Sequence, residues 1–468
     1  MPKREIYLLS PRSLSPETIA VAFAKTSRSP ESFREIAAEL TDEKSAQFHE
    51  KWVVGYGHAS VAEHAVLHIA LENVSRVAIE AIESNRLASY TEKSTRYQKW
   101  GSDDFTIPPE LEDHPLRDEY AATVRMLFDA YARSLEPVKA LVTQNAPRRE
   151  NESDEAYDRR IRSQYVDACR FLLPAAANAN VGMTANGRVI ENTIRKMLSH
   201  PLAEVRQIGE EFKREAKGEI PTLVKYADAT PYLTESLRDL AGLSLPPAEQ
   251  KSMFCELIDY DEYGEEKILA AALYRFSGIP YLQALRAVRN APDPVRRQWA
   301  ESLLGRLTKH DIPLREMEYA AFTFDLLMDQ GAYAEFKRHR MMTQTPQRLT
   351  CELGYATPRR IVESGFEAEY RAAMDAAAET YRKLADFNPD VAQYIVPNGF
   401  NRRVLASFNL RTAYHFCQLR SAANAHFSIR KIAQRVAEEI RRVHPLLGEF
   451  MFVKEDESWQ DVDEGFFV

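Results

Sequence analysis

Cysteine is scarce in this chain: four in 468 residues, Cys169, Cys255, Cys351 and Cys417, with no CxxC pair and no histidine at metal-ligand spacing. That excludes a disulfide scaffold and a zinc module, and reads as reduced thiols packed in the core of a cytoplasmic protein. No run approaches the roughly 18 apolar residues a membrane-spanning helix needs. The opening MPKREIYLLSPRS has no apolar centre followed by a small-residue cleavage site, so no secretory leader is expected. A basic excess is also missing: the formal charge is -8 and the pI about 5.9, which argues against a nucleic-acid coat and leaves room only for a local basic pocket. No GxGxxG follows a strand-like run, no Walker-type lysine loop is present, and no Ser-His-Asp arrangement can be argued.

What is present is length and repetition. At 468 residues the chain exceeds one compact core, so two or three domains are expected. An ordered internal repeat supports two. The strand-like REIYLLS leads into a helical segment near the start, and FCELIDY does the same after the middle. VAEHAVLHIALENVSRVAIEAIESNR and REMEYAAFTFDLLMDQGAYAEFKRHR each run from an acidic residue through an alternating strand and a helix to arginine. FLLPAAANANVGMTANGRVIENTIRKML parallels YIVPNGFNRRVLASFNLRTAYHFCQLR, each with an apolar triplet closed by proline, then an asparagine two residues before an arginine. The boundaries are a first copy over 1–230, a linker over 231–250 and a second copy over 251–468. NAPRRENESDEAYDRR occurs only in the first copy and reads as a solvated helix or loop insertion. The stripe Ile429, Ile432, Ala433, Val436, Ile440 and Val443 reads as core or interface.

The chemistry-bearing stretches are few. FKRHRMMTQTPQR places Arg338, His339 and Arg340 together, either as a charged helix end or as an anion site, since an arginine fork holds two phosphate oxygens at once. The first copy keeps Arg86 there, with Ser84 and Asn85 in place of the other two. Downstream, Glu92, Ser94, Arg96 and Tyr97 combine donors and acceptors of the kind a nucleotide phosphate and sugar require. GYGHASVAEH supplies His58, Ser60, Glu63 and His64, which suit structural hydrogen bonding better than a metal, and no metal site is expected.

Taken in order, these motifs resemble the flavin-dependent thymidylate synthases. That family carries Gly-His-x-Ser/Thr-x-x-Glu-His, then Arg-His-Arg with a downstream Ser and Arg-Tyr, then an Arg-x-x-x-Pro strand and an Asn-x-Arg helix ending in arginine. Nearly the whole chain is covered, each copy being about one family subunit. The resemblance implies an α+β fold: two tandem copies of a small mixed sheet flanked by helices, packed as a pseudo-dimer, with a homodimer forming a pseudo-tetramer. It implies reductive methylation of dUMP at C5 with FAD, NADPH and methylenetetrahydrofolate, a small-molecule nucleotide as partner, and neither nucleic acid nor membrane. It assigns Arg420 to catalysis, and Glu92, Ser94, Arg96, Arg170 and Arg338 to substrate. Ser60, Arg338, His339, Arg340, Asn186, Arg188, Asn192, Asn409, Arg411 and His415 fall to the flavin. The departures are complementary. The first copy has Ser84-Asn85 and Met197 where the second has Arg338-His339 and Arg420. The second has Pro346, Arg348, Thr350 and Gln393 where the first has Glu92, Ser94, Arg96 and Arg170. Composite sites, each drawing on both copies, are therefore expected, with another uracil-containing nucleotide, or binding without turnover, as the alternatives.

Overall fold

The computed structural model describes residues 5, 7–26, 29–55, 59–98, 100–243 and 253–468. His58 and residues 244–250 of the expected linker lie outside that set. The chain forms two compact units, one from residues 1–121 and 176–246 and the other from 122–175 and 247–468. Compact units and sequence repeats thus divide the chain differently, because residues 122–175 of the first repeat pack into the second unit.

Unit 1 holds a three-stranded antiparallel sheet, β1 (Val66–Ser75), β2 (Ala88–Glu92) and β3 (Asn178–Asn186), ordered β1-β3-β2. Unit 2 holds a four-stranded one, β4 (Cys255–Tyr260), β5 (Ala321–Asp329), β6 (Thr343–Pro346) and β7 (Asn401–Asn409), ordered β4-β5-β7-β6. β3 and β7 have the same alternating burial, with Val181, Met183 and Ala185 inward in one and Val404, Ala406 and Phe408 inward in the other, as a half-buried antiparallel strand requires.

The repeat extends to individual bonds. Asn186 and Asn409 each close their strand and cap the next helix, Gly187–Leu198 or Leu410–Arg420, by accepting from the backbone N–H three residues on. Ser75 and Asp329 likewise cap the helices Arg76–Ile82 and Gln330–Phe336. Buried Tyr120 donates to the Thr106 carbonyl and buried Tyr370 to that of Ala356, fourteen residues back in both cases. One difference is a bulge in β1 between Leu71 and Val74, where Asn73 takes φ 55°, a left-handed conformation asparagine tolerates.

Two expectations are revised. Every described strand pair is antiparallel, so neither sheet is mixed. Glu5 and Tyr7–Ser10 of REIYLLS are not strand: Leu8 is 93% exposed, while Leu9 packs against the small cluster of Ala22, Ile36 and Ala37 without pairing in a sheet; Arg4 and Ile6 lie outside the described residues. The described part of the linker includes a helix, Pro231–Ala241, capped by Thr230 and with no buried residue. Of the two readings of the charged insertion the structure has the helix: it carries the start of Asp154–Cys169, capped by Ser153 and anchored by the Arg160–Glu152 ion pair at 2.7 Å. The stripe on Phe427–Val443 is core: Ile429, Ile432, Ala433, Val436 and Ile440 are buried. No helix among the described residues is long and apolar enough to cross a membrane.

Within unit 2 the segment after Asp154–Cys169 is stitched to the loop before β7. Asn398 N–H donates to the Leu173 carbonyl, Gly399 N–H to that of Phe171, and Ala175 N–H to that of Val396. Gly399 is needed for that approach, since a Cβ there would stand 2.8 Å from the Tyr370 hydroxyl, 2.9 Å from Met374 Cε and 3.0 Å from Phe171 Cδ1. Gly399→Ala is therefore expected to destabilise by about 1–3 kcal/mol through overpacking. Gly218→Ala, with nothing within 4 Å, should be neutral or slightly stabilising. Equal urea midpoints for the two variants would contradict this packing.

Candidate active site

The turn after helix Gln330–Phe336 distributes the Arg-His-Arg triplet unevenly. His339 is buried, Arg340 half-buried and Arg338 exposed, so the costly burial of two adjacent guanidiniums does not arise. The His339 backbone N–H donates to the Phe336 carbonyl, its own carbonyl accepts from Met342 N–H and from Gln344 Nε2, and its ring stands edge-on to Phe416 at 5.0 Å and 5.7 Å from His415. At the end of helix Leu410–Arg420, Arg420 donates from Nε to His339 Nε2 at 2.9 Å and from Nη1 to Glu335 Oε2 at 2.7 Å. Glu335 Oε1 lies 3.8 Å from Arg170 Nη2, and that same nitrogen lies 3.2 Å from Asp167 Oδ1. The Arg170 carbonyl accepts from Asn398 Nδ2 and from Leu173 N–H, which fixes the backbone carrying it.

One carboxylate thus joins two guanidiniums from different repeats inside a single compact unit. Their side chains are 12% (Arg170), 15% (Glu335) and 13% (Arg420) exposed, so the cluster is neither sealed nor washed by solvent. Sequence reasoning missed Glu335; its position one helical turn before Arg338 was the available signal.

Two histidines complete the cluster in opposite tautomers. His339 Nε2 accepts from a guanidinium that cannot lose its proton, so the ring is neutral with hydrogen on Nδ1. Burial, then the charge of Arg420, His415 and Arg338, lowers its pKa to about 3. His426 accepts from Ser428 N–H on Nδ1 and faces the Asp167 carbonyl with Nε2 at 3.2 Å, so its hydrogen is on Nε2. Burial, then Arg170, lowers it to about 4. Asp329 is raised to about 6, mainly by burial, with Ser428, the Ala332 N–H and Arg170 holding it back.

The remaining sequence candidates divide by unit. In unit 1, Glu92 is nearly buried and paired with Arg76 at 2.7 Å, Ser94 caps the short turn Thr95–Tyr97 by accepting from the N–H of half-buried Arg96, and Asn192 approaches Asn85 at 3.5 Å. Arg188 pairs with Glu63 at 2.6 Å, and its counterpart in unit 2, Arg411, pairs with Glu318 at 2.7 Å. Ser60 lines a cavity of about 480 Å³ with Phe23, Phe48, Trp52 and His64. In unit 2, His415 is exposed.

Four counterparts of the Arg170 cluster elsewhere in the chain are uncharged, whereas that of Asp167 is Asp390. Glu335 corresponds to Ala81, His339 to Asn85, Arg420 to Met197 and Arg170 to Gln393. Asn85 is buried and donates to Thr193 Oγ1; Met197 is core; Gln393 accepts from Leu349 N–H and donates to the Asp390 carbonyl, while Asp390 takes both ends of Arg348.

Two regions, residues 9–222 and 256–446, match the model of the thymidylate synthase complementing proteins. The chain belongs to that family. Its members similar to this chain include a flavin-dependent thymidylate synthase of Clostridium tetani, 28% identical over 46% of this chain and 82% of that one. A UPF0159 protein of Chlamydia muridarum is 33% identical over 88% of this chain and 82% of its own length. Among solved structures, the UMP/dUMP methylase PolB of Streptomyces cacaoi, bound with 5-Br dUMP, is similar with a TM-score of 0.34 and 17% identity, over 43% of this chain and 95% of that chain. As a family member this chain has no evident thiol nucleophile among its cysteines: Cys169, Cys255 and Cys417 are buried and Cys351 half-buried, and burial raises every one, Cys169 to about 12. No group of three or more His, Cys, Asp or Glu suited to a metal occurs among the described residues.

The neutral histidines make unit 2 acid-sensitive. With folded pKa values of about 3 and about 4 against an unfolded value near 6.5, the native state binds fewer protons below pH 6.5. Their contribution is full above that value and is lost as pH falls, about 2 kcal/mol for each between pH 7 and 5. His339→Gln and His426→Asn, which keep the acceptor without titrating, are each expected to flatten urea-unfolding stability over that interval by about that amount. Unchanged slopes would refute the assignment.

Proposed function

We propose that this chain is a flavin-dependent thymidylate synthase-like enzyme that methylates dUMP at C5 reductively, giving dTMP, with methylenetetrahydrofolate, FAD and NADPH. The observation that carries this reading is the pair of guanidiniums, Arg170 and Arg420, held on Glu335 beside a neutral His339 in a member of this family.

C5 of uracil becomes nucleophilic only as negative charge builds on the O2/N3/O4 edge. A fixed cation there stabilises the transition state more than the ground state, which lowers the barrier. Arg420 suits that role because its guanidinium stays charged at any working pH, and Glu335 and His339 orient it before substrate arrives. Arg170 holds the nucleotide from the other side of the same carboxylate, and Glu92, Ser94 and Arg96 carry the substrate roles the resemblance gives them. The flavin residues fit their group chemically. A dinucleotide diphosphate needs surface cations, which exposed Arg338 and half-buried Arg340 supply, and Asn186 and Asn409 keep an Nδ2 donor while Oδ1 caps a helix. Ser60, Asn192, Arg188, Arg411 and His415 complete that set. When bound, the reduced flavin supplies the hydride that completes the methyl group. The protein works as a homodimer with the two copies acting as a pseudo-dimer, in the cytoplasm.

A second reading, modification of another uracil-containing nucleotide, is favoured by Gln393, whose side chain is committed to Leu349 and Asp390 where the family has an arginine.

Purified protein should bind FAD, seen by its absorbance, and release tritium from C5-labelled dUMP when folate and NADPH are present. Arg420→Ala should cut turnover about 100-fold or more, roughly 3 kcal/mol, with flavin content retained. A protein that takes up no flavin contradicts both readings; a folded holoprotein that releases no tritium contradicts the first.

A further inference from the structure

Resting on the reading above, we propose that Arg170, Glu335 and Arg420 read the imide edge of the pyrimidine, with the Glu335 carboxylate accepting the N3–H. Glu335 has one guanidinium at each carboxylate oxygen, Arg170 at 3.8 Å from Oε1 and Arg420 at 2.7 Å from Oε2. The three groups together offer a donor, an acceptor and a donor. The imide edge of uracil presents the complement: acceptor at O2, donor at N3 and acceptor at O4. Each arginine has five N–H donors, so one can serve both a carboxylate and a carbonyl. Cytosine turns an N3 lone pair toward the same carboxylate and places an amino group against a guanidinium, so two of three contacts become repulsive.

The acid at the centre favours a base over a phosphate at this position: Glu335 lies against both guanidiniums, so an anion bound by them would meet its carboxylate directly. In a site only 12–15% exposed, a dianionic phosphate would meet an uncompensated carboxylate, whereas a neutral imide would not. The repeat comparison points the same way: Ala81 and Met197 of the first copy stand where the second has Glu335 and Arg420, so the acid and the helix-end arginine are kept or lost together.

The test is calorimetric titration of the full chain with dUMP, dCMP and N3-methyl-dUMP. Both dCMP and N3-methyl-dUMP are expected to bind about 100-fold or more weakly than dUMP, and Glu335→Ala should shrink that gap to less than about 10-fold. The wild-type comparison stands even if the variant folds poorly. N3-methyl-dUMP binding within a few-fold of dUMP, or a gap that persists in Glu335→Ala, overturns the proposal while leaving uracil-nucleotide binding intact. Tighter binding of both dUMP and inorganic phosphate by Glu335→Gln puts phosphate on the arginines, and also overturns it. Failure to bind any uracil nucleotide overturns this inference and the functional reading together.

Discussion

Two guanidiniums on one carboxylate set the terms for unit 2. Arg170 and Arg420, each mostly out of water, repel one another and would be costly to hold in a low-dielectric site without Glu335 between them. Several features follow from keeping that arrangement. His339 must be neutral and must present Nε2 as an acceptor, because its neighbour is a guanidinium and cannot accept. The Arg170 backbone must be fixed, which Asn398 does from the loop before β7. Residues 122–175 must pack with 247–468, since otherwise Arg170 would be in a different unit from its partners.

The two repeats share a framework and differ in charge. Caps, strand burial and the tyrosine-to-carbonyl bonds are duplicated, because each sheet and helix needs them, and the Arg188–Glu63 and Arg411–Glu318 pairs of the proposed flavin set are duplicated as well. The Arg170–Glu335–Arg420 set is present once. At the corresponding positions Ala81, Asn85, Met197 and Gln393 form apolar or neutral contacts, and Arg348 is taken up by Asp390. Losing one member of such a cluster leaves a buried charge without its partner, so a change at one position favours change at the rest.

Local features were legible in the sequence. Period-two alternation located β1 and β5, because that signal is carried by neighbouring residues. The buried stripe from Ile429 to Ile440 was legible for the same reason. What depends on distant contacts was not. Leu8 has the pattern of a strand residue but finds nothing to bury against. The membership of 122–175 in unit 2 is decided by bonds to residues more than 200 positions away, such as Asn398 to Arg170. Glu335 has no motif of its own, and its importance appears only once two remote arginines are seen to meet on it.

If arginines from two repeats converge on one nucleotide, a structure of the full chain crystallised with dUMP and FAD will show a single pyrimidine within hydrogen-bonding distance of both Arg170 and Arg420. A nucleotide held by only one of them, or by neither, would contradict it.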